Sequence, residues 1–144
     1  MILFTIGFTK KTAEQFFTTL CQAQVKRIVD IRLNNSSQLA GFAKRDDLKY
    51  FLKTICSIDY LHVPELSPTK EILDNFKKNK GQWSEYERDY LILLRDRGVE
   101  RTMVDIIQSY DCFLCSEPTA DNCHRRLASE YLSKKWGNID IRHL

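Results

Sequence analysis

Apolar positions along this chain fall into short blocks, and the spacing inside the blocks is of two kinds. Ile2 to Ile6 is a near-continuous apolar run closed by Gly7, which predicts a buried strand. Thr12-Ala-Glu-Gln15 has the form of a capping box, and Phe16, Phe17, Leu20 and Cys21 follow at helical spacing. A helix is expected from about Thr12 to Gln24. Val25 to Ile31 is rich in β-branched residues and predicts a second strand. Strand, helix and strand in this order predict a βαβ unit, a parallel pair with a right-handed crossover.

Beyond Ile31 the pattern lapses. Leu33 to Lys44 is polar and irregular, with Asn34, Asn35, Ser36, Ser37 and Gly41. It predicts a loop long enough to carry function. Helical spacing resumes over Asp46 to Ile55, and Asp59 to Val63 predicts a strand stopped by Pro64. Pro68 to Ser109 reads as charged helix, with Lys77, Lys78 and Lys80 at an exposed bend. Tyr86, Tyr90, Leu91, Leu94, Val104 and Ile107 supply its apolar faces. Tyr110 to Cys115 predicts a strand, Asn122 to Lys135 a helix, and Ile139 to Ile141 a last short strand. The alternation predicts one α/β domain over residues 1–144, with a Rossmann-like, mostly parallel sheet flanked by helices. Ligands of such sheets bind beyond the carboxyl ends of the strands. The expected rim gathers Gly7 to Lys11, Asp30 to Arg32, His62 to Glu65 and Cys115 to Arg125.

Composition narrows this picture only a little. A net charge of +3 permits a phosphorylated or nucleic-acid partner without requiring one. The first residues lack the form of a secretory signal, and no apolar run reaches membrane-spanning length. Five cysteines in a chain that is neither small nor loop-rich predict reduced thiols in a cytoplasm rather than a disulfide framework. Oligomeric state leaves no mark in the sequence.

The densest chemistry lies in Cys112 to Arg126, where an apolar strand stops at a polar loop and a helix opens on His124, Arg125 and Arg126. Three readings compete. A thiolate at Cys115 would be stabilised by a helix start and nearby cations, with Glu117 as acid or base; against it, buried strand cysteines are commonly packing residues. Cys112, Cys115, Cys123 and His124 are all zinc-competent. Yet residues three apart on a strand point to opposite faces, and adjacent ligands at a helix start are awkward, so no metal and no cofactor is expected. Anion binding is favoured, with Asp121 or Asn122 as N-cap and Arg125 offering bidentate geometry. The alternative for Arg125, as for Asp30 and Arg32, is a structural ion pair. The spacings Gly-x4-Gly-Lys-Ser/Thr and Gly-x-Gly-x-x-Gly are absent around Gly7, and a phosphatase Cys-x5-Arg is absent after Cys115.

Several pieces of the chain together resemble the DUF488 family of small uncharacterised prokaryotic proteins. They are Thr5-Ile-Gly-Phe8, Val29-Asp-Ile-Arg32, Gly41-Phe42, Tyr60-Leu-His-Val-Pro-Glu-Leu66, Tyr86 with Tyr90, Cys115-Ser-Glu117 and Cys123-His-Arg125. Asn35 and Gln38 stand where the family usually has a proline and a second basic residue. Ser67-Pro68 stands where it commonly has Gly-Gly. The resemblance implies an α/β domain with a polar site, connected to nucleotide or nucleic-acid metabolism, and carries no reaction with it.

The expected catalytic residues are thus Glu117, His124 and Cys115, and the expected ligand-binding residues are Gly7, Asp30, Arg32, His62 and Arg125. The expected partner is a nucleotide, a nucleic acid or another phosphorylated ligand. The alternative is a non-catalytic binding or interaction module whose Cys/Glu/His/Arg cluster is structural, and the sequence leaves open whether the protein is an enzyme.

Overall fold

The computed structural model describes residues 1–36 and 40–144; the loop positions Ser37 and Gln38 lie outside them. Five strands make one all-parallel sheet: β1 (Ile2–Gly7), β2 (Arg27–Asp30), β3 (Asp59–His62), β4 (Asp111–Cys115) and β5 (Asp140–His143), in the order β3-β2-β4-β1-β5. Between them run α1 (Ala13–Gln22), α2 (Arg45–Cys56), α3 (Lys70–Lys77), α4 (Trp83–Arg97), α5 (Val99–Thr102) and α6 (His124–Trp136).

The helices sort cleanly to the two faces. Phe4, Ile6, Ile28, Cys112 and Leu114 pack with Phe16, Phe17 and Leu20 of α1 and Leu48 and Leu52 of α2. Leu3, Val29 and Phe113 pack with Tyr86, Tyr90 and Leu94 of α4, Val99 of α5 and Leu127 and Leu132 of α6. Burial on both faces is what the continuous apolar strands demand, because a parallel sheet must be covered twice. Thr12 caps α1 as the sequence predicts, its hydroxyl accepting from the Gln15 N–H while the Gln15 side chain accepts from Thr12 N–H.

Three expectations change. β1 and β2 are parallel but not neighbours, since β4 enters between them and bonds to both. A local βαβ pattern carries no information about a strand that arrives eighty residues later. The span Pro68 to Ser109 is divided into three helices, with the left-handed Gly98 between α4 and α5 (φ 62°). The N-cap of α6 is Cys123, in extended conformation (φ −141°, ψ 139°), rather than Asp121 or Asn122.

The order of strands also creates the crevice. β2 and β4 are adjacent, but the chain leaves β2 toward the α2 face and leaves β4 toward the α6 face. Divergence of neighbouring loops at the carboxyl edge opens a gap, which is the topological switch point of this class of sheet.

Candidate functional site

A cleft of about 280 Å³ lies at this switch point. Its floor is Cys115, Cys123 and His124; Arg32 and Asn34 come from the end of β2; Phe76, Lys77, Trp83 and Tyr86 come from α3 and α4; Glu117 and Asn122 flank it from the β4–α6 loop. Glu117 is half-exposed and 2.5 Å from Lys77 Nζ. Lys78 is 3.4 Å from Asp74. These are exposed pairs, of the kind worth at most about 1 kcal/mol and readily exchanged for a ligand.

His124 is buried, and burial lowers its pKa to about 4, so the imidazole is neutral at ordinary pH. Its Nε2 lies 2.9 Å from the Ile31 carbonyl. A carbonyl only accepts, so Nε2 carries the hydrogen and Nδ1 keeps its lone pair. Tyr90 packs edge-on against the ring, 5.7 Å between centroids. Trp83, Tyr86 and Tyr90 stack on one another from the cleft wall inward, with centroids 4.9 and 6.1 Å apart.

Arg125 is buried and faces inward. Nη1 donates to the Glu117 carbonyl at 2.7 Å and to Cys115 Sγ at 3.0 Å, and lies 3.7 Å from Cys123 Sγ. No carboxylate pairs with it among the described residues, and its Nε is buried without a hydrogen-bond partner there. Burial lowers its pKa. Gly7 makes room for this arrangement: a Cβ there would stand 1.6 Å from the Glu117 carbonyl oxygen and 2.6 Å from Arg125 Nη1. The space over Gly7 is therefore already filled by protein.

Asp30 and Arg32 form a closed network. Arg32 donates bidentately to Asp30 at 2.8 Å through Nε and Nη2, and Nη1 donates to the Ala43 carbonyl at 2.8 Å. Tyr60 donates to the second Asp30 oxygen at 2.6 Å. Both charges are almost wholly buried. His62 sits 3.2 Å from the Arg32 carbonyl and does not line the cleft. Arg126, the third basic residue of the α6 start, pairs with Glu130 on its own helix at 3.2 Å. The three consecutive cations thus become one neutral imidazole, one buried guanidinium and one surface ion pair.

Of the predicted residues, Cys115, Glu117, His124 and Arg32 line the cleft. Arg125 and Gly7 lie directly beneath it, and Asp30 and His62 hold Arg32 from behind. Sequence reasoning missed the α3–α4 wall. Trp83, Tyr86 and Tyr90 recur at i, i+3 and i+7, a spacing that reads as ordinary packing until the sheet order shows which helix crosses the switch point.

The fifteen-residue segment that looked like a thiol or metal motif resolves into two sulphur environments. Cys112 is free and buried in the α1/α2 face, and desolvation raises its pKa far above the ordinary thiol value. Cys115 and Cys123 are in direct sulphur contact, with Cα atoms 7.5 Å apart. Far from the cleft, Cys21 and Cys56 are also in sulphur contact, with Cα atoms 5.6 Å apart. Four thiols expected as separate groups thus meet in pairs, because α1 and α2 lie side by side and the β4–α6 loop folds back on β4.

Fold and cleft define a doubly wound α/β domain with a cleft at its strand-end switch point. The chain matches the family model of DUF488, a domain of unknown function, over residues 12–132, and it belongs to that family. No curated protein and no solved structure matches it.

Proposed function

We propose that the cleft binds a small phosphorylated ligand of mononucleotide size or less, and that Glu117, His124 and Cys115 act on it. The carrying observation is the make-up of the cleft: a stacked aromatic wall at Trp83 and Tyr86 beside Lys77 and Lys78, at the β2/β4 switch point. An aromatic face suits a base, and ammonium groups at the mouth suit a phosphate. The volume of about 280 Å³ falls just below the usual range for ligand pockets, which limits the ligand to a small one. In this reading Lys77 and Lys78 meet the anion, Arg32 is spent on Asp30, and Arg125, which no carboxylate neutralises among the described residues, adds positive charge from beneath the cleft. Glu117, released from Lys77 when a phosphate takes the ammonium, is the acid or base at the mouth.

The test is thermal denaturation with inorganic phosphate, AMP and short oligonucleotides. A ligand at a hundredfold excess over Kd stabilises the native state by about 2.7 kcal/mol. Lys77→Ala with Lys78→Ala should remove that gain. If none of these probes raises the Tm, the proposal fails. Glu117→Gln separates enzyme from binder: an enzyme keeps its ligand and loses turnover.

A further inference from the structure

We infer that Cys115, Cys123 and His124 form a three-ligand site for a borderline-soft divalent cation, zinc being the fitting one, with its fourth position open to the cleft. This goes beyond the phosphorylated-ligand reading and stands without it. The three ligand atoms lie within 4.8 Å of one another. Two thiolates at ~2.3 Å from a tetrahedral zinc stand about 3.8 Å apart, so a small side-chain rotation suffices.

Backbone spacing favours an ion between the sulphurs over a bond between them. Disulfides hold Cα atoms at about 4.4 to 6.8 Å. Cys115 and Cys123 stand 7.5 Å apart, beyond that range, whereas Cys21 and Cys56 at 5.6 Å lie inside it. A shared metal lengthens the sulphur–sulphur span and fits the wider pair.

Two objections from the sequence dissolve in the geometry. Cys112 does point to the other face, and the site does not use it. Cys123 and His124 are adjacent, but the chain passes from extended at Cys123 to helical at His124, which aims both side chains at one spot. His124 is oriented as metal-bound histidines are: one nitrogen donates to a backbone carbonyl at 2.9 Å, leaving the other as the ligand. Arg125 donates to Cys115 Sγ at 3.0 Å and favours the thiolate. Two thiolates, one dication and one guanidinium leave a single net positive charge facing the cleft. The open position therefore takes an anionic oxygen or a water.

The experiment uses the whole reduced chain and Co²⁺, then Zn²⁺. A Co²⁺ titration should give thiolate charge-transfer absorption and intense tetrahedral visible bands, saturating at one equivalent and abolished by Zn²⁺. Cys123→Ser and His124→Asn should weaken binding at least tenfold, and Cys112→Ser and Cys21→Ser should leave it unchanged. In wild type, independently of how the variants fold, Zn²⁺ should protect Cys115 and Cys123 from alkylation. Absence of cobalt bands in the reduced protein, bands that survive in Cys123→Ser, or equal alkylation with and without Zn²⁺ would each overturn the inference. A metal-free protein that still gains stability from phosphate or AMP would leave the cleft reading standing while this one fell.

Discussion

The two cysteine pairs are the same chemistry placed in opposite surroundings. Cys21 lies in the last turn of α1 and Cys56 closes α2; Cys21 is exposed, Cys56 is half-buried, and the Cys56 Sγ lies 3.5 Å from the Phe17 carbonyl oxygen. Cys115 and Cys123 lie within reach of Arg125, His124 and a cleft. The first pair has the backbone spacing of a crosslink and stands at solvent-facing helix ends. The second has a wider backbone, a buried cation without a carboxylate and an imidazole with a free lone pair. Environment, rather than residue type, sets the two pairs apart.

The largest effect that would break this contrast concerns the staple. If Cys21 and Cys56 are bonded, the link closes 35 residues, and the chain-entropy relation assigns such a loop about 4 kcal/mol. Adding a thiol-free reductant should lower the urea-unfolding free energy of wild type by up to that amount. Cys21→Ser should show the lowered value at once and no further response to reductant. If reductant instead acts equally on wild type and Cys21→Ser, the crosslink belongs to the other pair and the comparison inverts.

A somewhat smaller effect sharpens the other side. Gly7→Ala places a methyl 1.6 Å from the Glu117 carbonyl oxygen, and backbone on both sides must give. Overpacking of this kind costs about 3 kcal/mol. Gly41→Ala meets nothing within 4 Å and serves as the control. Urea denaturation checks both. A Gly7→Ala variant as stable as wild type would mean that the loop above β1 yields freely, and that the sulphur and guanidinium positions are not held by it.

Much of the fold was legible in the sequence, and for a physical reason. Five strand positions, the helix capped at Thr12 and the parallel class all follow from local periodicity and capping, which are properties of neighbouring residues. The sheet order was not legible, because entry of β4 between β1 and β2 is decided by packing of helices far apart in sequence. The site divides the same way. Cys115, Glu117 and His124 were visible as a dense segment at a strand end. The meeting of Cys115 with Cys123 was hidden, since it depends on a loop turning back over Gly7. Asp30 and Arg32 were visible as charges at a strand end, but only three dimensions show that Tyr60 and the Ala43 carbonyl complete their hydrogen bonds. The aromatic wall was hidden for the same reason as the sheet order.

The smallest expected effect on stability discriminates most between the pairs. Arg125→Met replaces a buried guanidinium by an apolar side chain of similar length. The loss is the hydrogen bonds from Nη1 to the Glu117 carbonyl and to Cys115 Sγ, and the part-buried carbonyl left unpaired costs about 1–3 kcal/mol. The gain is removal of a buried cation that no carboxylate neutralises among the described residues, and apolar replacement of buried charge is often neutral or favourable by about 1–4 kcal/mol. The two offset, so the unfolding free energy should shift by about 1 kcal/mol or less. Binding should not share that indifference. Without the guanidinium Cys115 loses its hydrogen-bond donor, and the cleft floor loses a positive charge. Phosphate or AMP should then raise the Tm by much less than in wild type. A variant that loses about 3 kcal/mol of stability would make Arg125 a structural keystone like Arg32. A variant that keeps both stability and ligand response would make the Cys115–Cys123 surroundings as inert as those of Cys21 and Cys56. A cation kept buried without a carboxylate is costly to the fold, and that cost is intelligible where the charge meets a thiolate or an incoming anion.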